Sequence, residues 1–146
     1  MLDIKFLREN PDDALMRIEN PFIVGFSCYI WNMEYNLTLA RKIKEKYPEC
    51  LIVFGGHNIP FNTEVLEKAE FVDALIHGEG ERAFVEYSKA AEKNDFSSLK
   101  NISYRIGGEN FPAVEGKTCL SLEEMPSPYT AGFFDKMIED YPTIDF

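Results

Sequence analysis

Histidine, tryptophan and cysteine are scarce in this chain, at two, one and three residues in 146. Cys28, Cys50 and Cys119 cannot all pair, and they form neither a C-x-x-C nor a clustered ligand set. A disulfide framework is therefore not expected, and the thiols read as reduced, small buried hydrophobes in a cytoplasmic protein. His57 and His77 stand twenty residues apart without a third ligand pattern, so no metal site is expected. Basic charge is also in the minority, with 15 Lys and Arg against 25 Asp and Glu and a net charge of -10. That balance disfavours a broad phosphate-tracking surface, so neither nucleic acid nor an anionic membrane is an expected partner. No apolar run approaches the roughly 18 residues needed to span a bilayer. The opening Met1-Leu2-Asp3-Ile4-Lys5 lacks the layout of a signal peptide. Internal repeats and low-complexity tracts are absent. So are a Walker loop, a G-x-S-x-G elbow and the strand-end aspartates of a receiver domain, because Ser27 and Gly55 stand where such acids belong. No catalytic residue is assigned.

What is present is a hydrophobic fraction of 45% with 14% aromatics, enough for one folded domain. Phe22 to Ser27 is a continuous apolar run that predicts a strand buried on both faces. A helix is predicted over Met33 to Tyr47, with Leu37, Ala40, Ile43 and Tyr47 on its inner face and Pro48 as its stop. Leu51 to Phe54 and Ala74 to Ile76 read as further strands. Glu64 to Ala69 reads as a short helix between them, and another helix runs to about Lys93 with Ala83, Phe84, Tyr87 and Ala91 inward. This alternation predicts an α/β domain, a parallel sheet with helices on both sides. Ile4 to Leu7 fits a short strand, Asn10-Pro11-Asp12-Asp13 a helix start, and Ile102 to Val114 a β-hairpin turning at Gly107-Gly108. The tail, punctuated by Pro126, Pro128 and Pro142, reads as a linker with short helical potential around Gly132 to Asp140.

Ligands of open parallel sheets bind beyond the carboxyl ends of the strands. Three such ends are legible: Ser27-Cys28-Tyr29 with Trp31-Asn32, then Gly55-Gly56-His57-Asn58, then His77-Gly78-Glu79-Gly80-Glu81. The glycines allow close backbone approach, Ser27 offers a hydroxyl, and Tyr29 and Trp31 offer flat apolar cover. Gly78 to Ala83 also spells G-x-G-x-x-A, the dinucleotide fingerprint. Glu79 and Glu81 would put negative charge where a pyrophosphate sits, so a nucleotide-dependent enzyme is the secondary reading. A self-associating module that pairs through an incomplete sheet edge is a third.

The ordered segments Pro21 to Asn32, Ile52 to Gly56 and Val72 to Glu81 resemble the cobalamin-binding domain of B12-dependent radical SAM enzymes. Among these, the anaerobic magnesium-protoporphyrin IX monomethyl ester oxidative cyclase and related methyltransferases are most similar. Ile102 to Arg105 and Leu122 to Tyr129 match segments that follow in that family. The resemblance implies a flavodoxin-like (Rossmann-like) three-layer fold and cobalamin as cofactor. A radical SAM catalytic domain is implied as partner in the parent protein, an oxidoreductase or methyltransferase. It implies that Ser27 meets the base of the corrinoid tail, that Gly55 and Gly56 leave the tail room, and that Gly78 and Gly80 edge the same slot. The D-x-H-x-x-G motif of related domains is absent, so neither histidine is assigned to cobalt. The C-x3-C-x2-C cluster motif is absent too, so no iron–sulfur cluster is expected on this chain. The expected layout is residues 1–116 as the cobalamin-binding-like domain, with an atypical front end over 1–20 that lacks a first βα unit. Residues 117–146 form the linker toward a barrel, and the chain alone is not expected to be catalytic.

Overall fold

The computed structural model describes residues 9–116, 127, 130–135 and 139. The strand expected at Ile4 to Leu7, Cys119 and most of the linker lie outside the described residues.

Among the described residues nine elements follow one another: α1 (Pro11–Met16), β1 (Ile23–Ser27), α2 (Met33–Lys46), β2 (Leu51–Gly55), α3 (Glu64–Lys68), β3 (Ala74–Ile76), α4 (Gly80–Lys93), β4 (Ile102–Ile106) and β5 (Glu109–Phe111). They build one sheet in the order β1-β2-β3-β4-β5. β1, β2 and β3 are parallel, with Ser27 opposite Gly55 and Phe54 opposite Leu75. β4 and β5, the expected hairpin, continue the same sheet antiparallel to β3. The sheet is therefore mixed, because a hairpin needs only the tight turn at Gly107-Gly108 whereas a parallel partner needs a crossover.

Period-two alternation sorts the central strands between two cores. Ile52, Phe54 and Leu75 face α2 and α3 together with Leu39, Ala40, Ile43 and Leu66. Val53, Ala74 and Ile76 face α4 together with Ala83, Tyr87 and Ala90. α1 and the turn after it join the first core through Ala14, Leu15 and Ile18. Helices thus cover both faces, as the apolar strands required.

Three local expectations shift. β1 is only half-buried, with Gly25 and Ser27 exposed, because it is an edge of the described sheet. The inner face of α2 is Asn36, Leu39, Ala40 and Ile43, so it carries one polar residue that the expected stripe omits. In α4 the stripe runs through Ala90 rather than Ala91. Helix ends follow their signals. Asn10 caps α1 by accepting from the Asp12 N–H at 2.9 Å, and Asn94, at φ 52°, closes α4 in the left-handed region.

At the amino edge of the sheet, Asp73 ties two layers together. Its carboxylate accepts from Lys44 Nζ at 2.9 Å and from the Ile52 N–H at 2.7 Å, while Lys44 also donates to the Cys50 carbonyl. Removing the acid strands a partly buried ammonium and a strand N–H. Asp73→Ala is expected to cost about 2 kcal/mol in urea unfolding, whereas Lys68→Ala, which breaks an exposed pair with Glu64, should leave the urea midpoint almost unchanged.

Candidate functional site

The parallel register sets Ser27 beside Gly55 at the carboxyl rim, and the loops that follow are stitched together by backbone. The Cys28 N–H donates to the Gly55 carbonyl at 2.6 Å, and the Asn58 N–H donates to the Cys28 carbonyl at 3.0 Å. Gly56 sits at φ 101°, where a Cβ would lie 2.9 Å from the Cys28 oxygen and 3.0 Å from its nitrogen. Glycine is required there by the chain's own packing, in a conformation that other residues rarely adopt.

Two asparagines hold the first loop. Asn32 accepts from the Tyr29 N–H at 2.8 Å and donates to the Ser27 carbonyl at 2.9 Å. Asn36 donates to the same carbonyl at 3.1 Å and lies 3.5 Å from Cys28 Sγ. Asn36 was not among the residues expected at the site. Its signal was available: a polar side chain on the buried stripe of a helix needs a partner, and here the partner is the strand end.

This scaffold presents an aromatic stack. The Tyr29 and Trp31 rings lie 4.6 Å apart and nearly parallel at 8°, and His57 follows Tyr29 at 5.6 Å. Trp31 is 71% exposed, and Ile30 and Phe61 are also exposed on these loops. Phe61, likewise not anticipated, reaches from the second loop to the His77 ring at 4.7 Å and links it to the third strand end. Beyond His77, Gly78 takes φ 74°, and Gly78 and Glu79 are exposed. Glu79 occupies the N-cap position of α4, which starts at Gly80.

The expected residues thus gather on one rim but present themselves differently. Ser27, Trp31, His57, Gly78 and Glu79 are exposed, and Tyr29, Asn32, Gly55, Gly56 and Gly80 are half-buried. Cys28 is fully buried, and burial pushes its thiol up to about 11, so its structural role runs through its backbone. His77 is buried, with Nε2 2.8 Å from Ser103 Oγ, which also accepts from the Ala113 N–H. Burial holds its imidazole below the ordinary value, partly offset by the Pro60 carbonyl. No helix of the described residues is long and apolar enough to cross a membrane.

The family model described as the B12 binding domain matches residues 2–88, more than half of the chain. The chain belongs to the B12-binding domain family. All eleven expected site residues lie inside the match. This B12-binding domain is 33% identical over 133 residues to the 2-(S-pantetheinyl)-carbapenam-3-carboxylate methyltransferase of Streptantibioticus cattleyicolor, covering 89% of this chain and 20% of the relative. It is 36% identical over 121 residues to the cobalamin-dependent radical SAM methyltransferase TokK of Streptomyces tokunonensis, covering 81% and 18%. Similarity to the anaerobic magnesium-protoporphyrin IX monomethyl ester cyclase of Rubrivivax gelatinosus is 28% over 110 residues, covering 73% and 19%. The chain therefore spans about a fifth of the length of the curated relatives it matches. The nucleotide-enzyme and self-association readings are not favoured. For the nucleotide reading the physical reason is the exposed acid at Glu79 and Glu81, where a pyrophosphate would sit.

Two outcomes follow from this geometry. Gly56→Ala is expected to destabilise the domain by about 2 kcal/mol or more, against about 1 kcal/mol for Gly107→Ala, whose φ of 58° is equally positive but whose surroundings are open. Paired urea titrations decide it. His77 has a lower pKa folded than unfolded, so the unfolded chain takes up its proton first. Its contribution to stability is complete above the ordinary value of 6.5 and is lost as pH falls below it. The urea midpoint of the native domain should drop between pH 7.5 and 6, and His77→Gln should flatten that slope.

Proposed function

We propose that this B12-binding domain holds a corrinoid at its carboxyl rim and serves a radical SAM catalytic domain of the protein it belongs to, without catalysing a reaction alone. The observation that carries this reading is the rim itself. Inside the segment matched by the family, three strand ends combine an open serine hydroxyl, glycine backbone and an exposed, nearly parallel ring stack. A large planar ligand with a long tail needs flat apolar cover and backbone that it can approach closely, and these residues fit that need. Ser27, Gly55, Gly56, Gly78 and Gly80 would border the tail. Tyr29, Trp31 and His57 would supply ring surface, with Asn32 and the Cys28 backbone holding the loop and Glu79 flanking the slot.

The corrinoid, when bound, supplies a cobalt centre for methyl-transfer or redox chemistry. The chain's own residues bind and orient it, and cover it from water. Neither histidine is assigned to the metal, since His77 is buried against Ser103 and His57 lies in the ring stack. Two of the relatives are named as methyltransferases and one as a cyclase, so the reaction served is a methyl transfer or an oxidative ring closure. We assign iron–sulfur chemistry to the catalytic domain rather than to this chain. Its reduced thiols fit the cytoplasm, and its excess of acid argues against nucleic acid as a partner.

Titration with hydroxocobalamin followed by gel filtration tests the reading. Retained corrinoid absorbance with saturable binding is expected. Trp31→Ala should weaken it about tenfold, equivalent to about 1.4 kcal/mol. Absence of retained corrinoid, or tight saturable binding of NADH or FMN instead, overturns the proposal.

A further inference from the structure

His77 directly follows β3 at the carboxyl rim, and its side chain is buried. On one side of the ring, Nε2 lies 2.8 Å from Ser103 Oγ on β4. That oxygen already accepts from the Ala113 N–H at 3.0 Å, and Ser103 is itself buried. A hydroxyl has one proton to place. If Nε2 carried the ring proton, Ser103 Oγ would accept twice while its own proton, shut away from water, met no acceptor among the described residues. The arrangement that satisfies every group has the Ser103 O–H donating to Nε2, and this puts the ring proton on Nδ1.

Nδ1 is buried and, among the described residues, has no hydrogen-bond partner. The two nitrogens diverge across the ring, so with Nε2 turned to β4, Nδ1 turns toward the loop after β2. The Pro60 carbonyl of that loop stands near the ring but falls short of good hydrogen-bond geometry. Phe61 closes the outer side. Its ring centroid lies 4.7 Å from the imidazole at a tilt of 43°, and its side chain is 55% exposed. Phe61 thus covers a buried donor on one side and meets solvent at the rim on the other. Gly78, exposed at φ 74°, brings no side chain to the same place from the third strand end. Buried donors are nearly always paired, because a donor stripped of water and left without an acceptor is costly. Here the open donor lies against the rim, beneath one exposed ring.

We propose that His77 is a binding residue of the rim: when Phe61 turns aside, the Nδ1–H donates to an acceptor oxygen of the bound corrinoid, on an amide of the ring periphery or on the nucleotide tail. This rests on the corrinoid reading of the rim and adds a polar contact to it. NMR of the His77 ring nitrogens in the full chain at pH 7.5 tests it. Without corrinoid the ring is expected as the Nδ1–H tautomer, and the Nε2–H tautomer overturns the proposal. With saturating hydroxocobalamin the Nδ1 proton should move downfield and exchange about tenfold slower. Bound corrinoid that leaves this proton unmoved overturns the proposal alone, whereas absence of corrinoid binding overturns the reading beneath it as well. Dicyanocobinamide, which lacks the nucleotide tail, separates the two sources of the acceptor. A shift with both probes assigns it to the ring periphery and a shift with hydroxocobalamin alone to the tail, and either supports the proposal. His77→Asn keeps an amide donor at the Nδ1 position and should hold hydroxocobalamin within about threefold of the native affinity, whereas His77→Gln, which reaches only the Nε2 position, should weaken it about tenfold. Equal affinities of the two variants overturn the proposal. Phe61→Ala leaves the histidine in place and gives a result even if those variants fail to fold. In the corrinoid-free chain it should speed exchange of the Nδ1 proton about tenfold, and unchanged exchange overturns Phe61 as the cover.

Discussion

Two backbones meet at Cys28 and Gly56 with no room between them for a side chain, and the rim of this domain depends on that contact. The close approach lets the Cys28 N–H and C=O bond to the Gly55 carbonyl and the Asn58 N–H, so the first two strand-end loops behave as one unit. Asn32 and Asn36 then satisfy the Ser27 carbonyl, the last outward acceptor of β1, and fix the loop from which Tyr29 and Trp31 project. The ring stack is exposed yet ordered because it rides on backbone hydrogen bonds rather than on a long loop of its own.

The same economy shapes the carboxyl rim of a domain that spans about a fifth of its relatives' length. The cores on the two faces of the sheet combine aliphatic residues with Phe54 on one side and Tyr87 on the other, and the carboxyl ends of β1, β2 and β3 lie beyond them. Polar work is concentrated elsewhere. Asp73 and Lys44 secure the amino edge. Arg105 of β4 reaches back to the Leu66 and Glu70 carbonyls and so satisfies the end of α3.

Much of this was legible in the residues. Apolar runs at Ile23, Leu51 and Ala74, separated by helical periodicity, marked the parallel unit, and glycines directly after the strands marked the rim. Other features depend on partners distant in sequence. The half-exposure of β1 follows from its place at the edge of the sheet, which its apolar run does not encode. Phe61 stands in an irregular segment with no periodicity, and only the fold brings it against His77. The burial of His77 likewise comes from Ser103 and the strand beside it.

The sequence by itself determined the alternation and order of the elements from β1 to β5, because those follow from local periodicity and chain-stiffening residues. It also carried the family, through ordered strand-end segments. The tertiary structure alone decided that β4 and β5 extend the sheet antiparallel, that Gly56 serves the chain's own packing, that Cys28 turns inward and that Trp31 turns out. Each of those outcomes rests on contacts between segments tens of residues apart, whose geometry no local pattern specifies.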